Sequence, residues 1–179
     1  MGHQQYTAEE IRQAIEQGPI TTEYKADLRH IINELNRLRA TEIASYLQYK
    51  QHAYMAVSLF APGLKGDFEA HATVELQHAD VLGERIQQLG GVPVFSPREI
   101  ATEAAQEGVR PMQGATLTDM VIENLLLERR QVAAYTALIR ELGDSDPTTR
   151  HILIGILEVT ERHASELADY LKRTSETRA

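Results

Sequence analysis

Apolar residues recur at steps of three and four along four long stretches of the chain, the spacing of one helix face. With small Ser45 included and polar positions filling the gaps, the stripes read Leu35, Leu38, Ser45, Tyr49; Phe68, Leu82, Leu89; Val121, Leu125, Val132, Tyr135, Ile139, Leu142; and Ile156, Leu167, Tyr170. They predict four long helices. The first runs from about Thr22 to about Leu59 and is closed by Ala61-Pro62-Gly63; the second runs from about Gly66 to Leu89, ended by Gly90-Gly91 with Pro93 beyond. The third starts near Thr116 or Thr118 and stops at Gly143. In Asp144-Ser145-Asp146-Pro147, an N-cap and a proline at the first helical position open the fourth, which ends near Arg173. Thr7 with Glu10 three residues on reads as a capping box, so a short helix opens the chain and Gly18-Pro19 ends it.

Short turns join the first helix to the second and the third to the fourth. Residues 92–116, carrying Pro93, Pro97, Gly108, Pro111 and Gly114, form a long crossover with one helical turn near 97–106. Two hairpins and one long link make an all-α four-helix bundle with a single crossover; an up-down-up-down bundle would need a short central turn. The expected organisation is an N-terminal extension over 1–21, the bundle over 22–173 and a tail over 174–179.

Polar residues interrupt every stripe. Glu42 falls between Leu38 and Ser45, His71, Glu75 and His78 between Phe68 and Leu82, Glu128 between Leu125 and Val132, and Thr160 and His163 between Ile156 and Leu167. A carboxylate buried without a partner costs several kcal/mol or more, so three of them and two imidazoles on four core stripes need a common counter-charge. Bound metal is the simplest. A cryptic repeat supports this. Tyr49 follows Glu42 by seven residues, as Tyr135 follows Glu128; His78 follows Glu42 by 36 residues and His163 follows Glu128 by 35. The two hairpins thus present their polar groups at matching heights.

Glu75-Leu-Gln-His78 places both groups on one side of a helix, and Glu42 and Glu128 supply lone carboxylates. On the fourth helix Thr160 stands three residues before His163, while Glu158 and Glu161 turn away from that face unless a bulge realigns Glu161. Hard oxygen donors with a few imidazoles suit Fe²⁺, with Mn²⁺ and Zn²⁺ as competitors. The structural readings stand beside these. A buried ion-pair network involving Arg129 and Arg130 is the alternative for the carboxylates. His71 is expected to be solvent-exposed, with a transient metal contact as the lesser reading; His52 and His151 are expected at the surface. Tyr49 and Tyr135 are expected to fill the core with hydroxyls bonded to site carboxylates, electron donation being the lesser role.

Composition narrows the classes further. Hydrophobic residues make up 42%, aromatics 6% and charged residues 25%, which suits long amphipathic helices rather than a β-sandwich. No apolar run approaches a membrane span. Met1-Gly2-His3-Gln4-Gln5 has no basic segment leading into an apolar one, so a cytoplasmic location is expected. There are no cysteines, which excludes disulfides, iron–sulfur clusters and thiolate zinc. The net charge of −8 favours cations over phosphate backbones.

From about Asp27 to Lys172 the chain resembles the ferritin superfamily, and within it the bacterioferritin-like Dps mini-ferritins. The resemblance rests on Thr41-Glu42-Ile43, on Glu75-Leu-Gln-His78-Ala79 leading into Leu89-Gly90-Gly91-Val92-Pro93, on Glu123-Asn124-Leu125 before Glu128-Arg129, on Asp146-Pro147-Thr148-Thr149, and on the run Ile156 to Leu167 containing His163. It implies a ferritin-like bundle and a hollow homo-oligomeric shell. Such shells oxidise Fe²⁺ with H2O2 or O2 at a di-iron site inside the bundle, store the ferric mineral and protect against oxidative stress. The resemblance makes Glu42, Glu75 and His78 the ligands of one iron and Glu128 and His163 those of the other, with Glu75 and Glu128 bridging. Leu76 stands where bacterioferritins place a haem-ligating methionine, so no haem is expected, and the cysteine pair of some Dps-like relatives is absent. Thr160 occupies the place of a sixth ligand, so the second metal position is expected to bind weakly. With about six residues after the last helix, a 12-subunit shell is expected. Residues 1–20 contain only Arg12 as a cation, so no tight DNA binding is expected. The competing classes are a metal-binding shell silenced at that position and a di-iron or di-manganese oxidoreductase acting on another substrate.

Overall fold

A computed structural model describes residues 6–56, 62–106, 108 and 116–176. Thr7 caps α1 (Ala8–Gln17) in a reciprocal box with Glu10, and none of this helix is buried. Helix α2 (Leu28–Met55) begins at the Asp27 cap, whose carboxylate accepts from the His30 amide at 3.1 Å. The expected start at Thr22 is too early. Tyr24 instead donates its hydroxyl to Asp146 at 2.9 Å, tying the preceding strap to the far hairpin. The expected end near Leu59 falls among residues 57–61, outside the described ones.

Helix α3 (Pro62–Gln88) starts four residues earlier than the sequence pattern suggests. Pro62, expected to terminate the preceding helix, opens this one, where its missing N–H costs nothing. At the other end Gly90 has φ +79° and the Gly91 amide donates to the Ile86 carbonyl at 2.9 Å, closing the helix in a left-handed cap. A Cβ on Gly91 would stand 2.8 Å from Ile32 Cγ2, so the chain can leave α3 this close to α2 only through glycine. The crossover carries a ten-residue helix, α4 (Pro97–Gln106), rather than a single turn. Its Ile100 and Ala104 pack on Ala40, Ala44 and Leu127. Thr116 and Asp119 form the capping box of α5 (Leu117–Leu142), and α6 (Pro147–Glu176) runs three residues beyond the expected end.

Helices α2 and α3 form one hairpin and α5 and α6 the other; α2 against α5 and α3 against α6 close the bundle, with α4 laid on α2. Among the described residues there is no strand and no helix long and apolar enough to cross a membrane. Two apolar clusters plug the bundle. One gathers Leu35, Leu82, Ile86, Leu138 and Leu153; the other gathers Tyr49, Phe68, Ala72, Val121 and Leu167. Arg85 reinforces the first plug, donating to both oxygens of buried Asp146 at 2.9 and 3.1 Å and to Thr149 Oγ1 at 2.8 Å. The polar residues that interrupt the stripes lie between the plugs.

Candidate metal centre

Because the four stripes face one axis, their polar interruptions converge. Glu42, Glu75 and Glu128 are each 0% exposed, His163 3%, His71 6% and His78 7%. One ligand-type atom from each of Glu42, Glu75 and His78 lies within 4.8 Å of the others, and the same holds for His71, Glu128 and His163. His163 Nδ1 stands 3.4 Å from both Glu75 Oε1 and Glu128 Oε1, so the two groups adjoin. The five residues singled out from the sequence therefore share one buried locus. His71, expected in solvent, joins them: one turn before Glu75, it lies under α6 with its ring stacked on His163, centroids 3.9 Å apart.

Tyrosines and an amide frame the carboxylates. Tyr49 donates to Glu128 Oε1 and Tyr135 to Glu42 Oε1, both at 2.5 Å, as the sequence reading of these hydroxyls expects. Gln131 Nε2 donates to Glu42 Oε1 at 2.9 Å and to Glu75 Oε2 at 3.3 Å. The sequence reading missed Gln131 by assigning that turn of the stripe to Val132, which is only half-buried. Its signal was the i, i+3 spacing from Glu128, which matches that of His78 from Glu75.

Burial governs the protonation of these groups. It pushes the Glu42 carboxyl up to about 7 against the opposing bonds from Glu75 and Tyr135, and the Glu128 carboxyl up to about 8. Glu75, buried beside two other carboxyls, is raised well above the ordinary range. His78 is lowered by burial, and His71 falls to about 4 through burial and the adjacent His163. Arg129 and Arg130 are exposed, and Arg130 donates to the Gly108 carbonyl, so neither neutralises the core carboxylates. Glu75 Oε1, Glu128 Oε2, His71 Nδ1 and His163 Nδ1 are buried without a hydrogen bond. Unpartnered lone pairs in a dry core are costly, and a divalent cation satisfies several at once. The donor set thus fits metal better than an ion-pair network.

Of two further expectations near this locus, the one for α6 agrees with the structure and the one for His52 does not. Helix α6 is regular across residues 158–163, so Glu158 and Glu161 remain exposed, and Thr160 turns its hydroxyl to the Ile156 carbonyl at 3.0 Å. His52, expected at the surface, is 0% exposed, with Nδ1 3.0 Å from Asn124 Oδ1 and Nε2 3.2 Å from Glu123. There it links α2 to α5 beneath the second apolar plug. His151 is exposed, as expected.

Comparison with known proteins agrees with this architecture. A family model described as a ferritin-like domain matches residues 32–177. The nutrient stress-induced DNA-binding protein of Synechococcus is 32% identical over 145 residues, 79% of this chain and 80% of its own length. Its counterpart from Nostoc is 31% identical over 149 residues, 80% of this chain and 78% of that protein. The DNA protection during starvation protein of Halobacterium salinarum is 36% identical over 109 residues, 58% of this chain and 57% of its own. Among solved structures, the bacterioferritin-related protein of Bacteroides fragilis, a dodecameric thioferritin, aligns with a TM-score of 0.81 at 28% identity, covering 86% of this chain and 91% of that one. With the family model spanning all four bundle helices, this chain belongs to the ferritin-like family.

Proposed function

We propose that the chain oxidises Fe²⁺ at a di-metal site inside its bundle and stores the ferric product within a homo-oligomeric shell. The observation that carries the reading is the pair of adjoining three-ligand groups, each with at least one carboxylate and one imidazole, sealed between apolar plugs. Glu42, Glu75 and His78 would hold one ferrous ion, and Glu128 and His163 belong to the other, with Glu75 and Glu128 between them. Iron is the substrate here. Two adjacent ferrous ions each give up one electron, a single peroxide takes both, and two protons complete two waters. A paired delivery avoids the one-electron step that releases hydroxyl radical, which is the basis of protection against oxidative stress. With dioxygen as oxidant the same two electrons and two protons give hydrogen peroxide, which a further pair of ferrous ions reduces to two waters.

The residues set the terms of this chemistry. Carboxyl groups raised by burial carry protons until a cation displaces them, so metal entry and proton release are linked. Tyr49, Tyr135 and Gln131 fix the carboxylate rotamers from behind. Twelve subunits is the assembly we favour, supported by the dodecameric Bacteroides neighbour. The DNA-binding relatives notwithstanding, we expect this shell to leave duplex DNA free, because the chain carries a net charge of −8.

Anaerobic loading with Fe²⁺, followed by stopped-flow mixing with H2O2 or O2, tests the proposal. It expects two ferrous ions bound per chain and a ferric absorbance that grows far faster than in protein-free buffer. Metal binding without accelerated oxidation would instead establish a non-catalytic metal-binding shell.

A further inference from the structure

Thr160 leaves the second position one carboxylate short, and α6 offers no substitute, since Glu158 and Glu161 stay in solvent. Helix α3 offers one. His71 sits one turn before Glu75, 6% exposed, with Nδ1 buried and without a hydrogen bond. Its other nitrogen lies 3.2 Å from Glu166 Oε2, and its ring lies parallel to that of His163, 14° between planes. Tyr49 braces it edge-on, centroids 5.2 Å apart. A core histidine held only for packing would have partners for both ring nitrogens, whereas His71 leaves Nδ1 buried and unpartnered in the group it forms with Glu128 and His163.

We propose that His71 is a ligand of the second metal position, replacing the missing carboxylate on α6, and that Glu166 positions it. Resting on the di-metal reading above, this makes the two positions chemically unequal in kind rather than in completeness. Counting each intervening carboxylate once, the first draws on Glu42, Glu75 and His78 and the second on Glu128, His71 and His163. Imidazole-rich sets favour borderline ions such as Zn²⁺ and Fe²⁺ over the harder Mn²⁺. A carboxylate behind a ligating histidine fixes its ring orientation and raises its basicity. Glu166 is half-exposed at the mouth of a pocket of about 250 Å³ that it shares with Asp67, His71 and Tyr170, so it can serve this role without itself being buried. His71 is thus a specificity-determining ligand: it decides which ion the second position accepts.

Equilibrium dialysis of the assembled protein against Zn²⁺ and Mn²⁺ separately tests this. The unmodified protein is expected to bind two Zn²⁺ per chain, but one Mn²⁺ tightly and a second at least tenfold more weakly. His71→Leu should lose the second Zn²⁺ and keep the first, and His71→Asn, closer in shape and polarity, should do the same should the leucine variant assemble poorly. Glu166→Gln should keep two Zn²⁺ with the second weakened by roughly 10–100-fold, the range for losing such a partner. Adding Thr160→Glu to His71→Leu should restore the second ion and narrow the gap between Mn²⁺ and Zn²⁺. Zinc anomalous scattering from crystals locates each ion independently of activity. Two full Zn²⁺ positions in both His71 variants would overturn the assignment while leaving the di-metal site intact; no metal in the unmodified protein would overturn both.

Discussion

Tyr135 on α5 donates its hydroxyl to Glu42 on α2 across 2.5 Å, and Tyr49 on α2 returns the bond to Glu128 on α5. Each tyrosine lies seven residues after one carboxylate yet serves the carboxylate of the other hairpin. The crossing locks the two hairpins at the height of the centre. Each bond is worth about 1–3 kcal/mol in a dry core. Tyr135→Phe is expected to weaken metal binding chiefly at the Glu42 position, and Tyr49→Phe chiefly at the Glu128 position, with the shell still assembled. Crystallographic occupancies of loaded variants check this; equal losses at both positions in either variant would refute the crossed assignment.

Glu75 sits at 0% exposure beside two other carboxyls, an arrangement that, on the proposed di-metal reading, costs the metal-free fold stability. Removing one acidic group relieves desolvation and mutual repulsion. Glu75→Gln should therefore raise the melting temperature of the metal-free protein, by a few degrees for roughly 1–2 kcal/mol in a chain of this size. The same change should abolish tight binding at the first position. Calorimetry with and without Zn²⁺ reads both effects, and a variant less stable than the parent without metal would contradict the argument.

Stability without metal should depend on pH in a defined direction. Glu42 and Glu128 hold protons more tightly folded than unfolded, so their contribution is full below about 4.5 and is lost as pH rises through about 7 and about 8. His71 acts oppositely: its neutral form is favoured in the fold, and its contribution is lost as pH falls from 6.5 toward about 4. The lowered imidazoles of His71 and His78 act below about 6.5, so above that the three raised carboxyls govern, and the metal-free melting temperature should fall between pH 6.5 and pH 8.5. Divalent metal should flatten that slope, and its binding should release protons near neutral pH. Calorimetric titration in buffers of different ionisation enthalpy measures the release, and a pH-independent melting temperature would count against the raised carboxyls.

Much of this was legible in the sequence because helix period and caps are local properties. Thr7-x-x-Glu10, Asp146-Pro147 and Gly90-Gly91 mark ends that recur in the structure. The interrupted stripes pointed to Glu42, Glu75, His78, Glu128 and His163, which the fold gathers at one height. The failures are tertiary. Asp27 rather than Thr22 begins α2 because Tyr24 is held by Asp146, 122 residues away. His71 and His52 looked like surface histidines because spacing within one helix does not say which neighbouring helix covers them. Gln131 was passed over since a neutral amide gives no warning of buried charge, although it bridges two carboxyls.

The surface charge makes its own prediction. Residues 1–20 carry one cation, Arg12, and Lys172–Ala179 carry three against one glutamate, within a chain of net charge −8. Phosphate neutralisation is the main source of non-specific DNA affinity. At about 150 mM salt, where screening acts over about 8 Å, no retardation of duplex DNA is expected at sub-micromolar shell concentrations. A complete gel shift under those conditions would show that a local basic patch outweighs the net charge.

The Arg85–Asp146 clamp gives the last prediction. Both side chains are buried, at 6% and 2% exposure, and the guanidinium reaches the carboxylate twice while also donating to Thr149. The clamp fastens the end of α3 to the start of α6, and Tyr24 closes it from the strap before α2. Replacing the pair by apolar groups could cost little, but removing one partner strands the other's charge, typically about 3–5 kcal/mol. Arg85→Met should therefore lower the melting temperature by roughly 10 °C, whereas Arg85→Met with Asp146→Asn should recover part of the loss. Metal stoichiometry at the centre should be unchanged in both, because the clamp lies beyond the first apolar plug. An Arg85→Met protein as stable as the parent would show that Tyr24 and Thr149 alone satisfy Asp146.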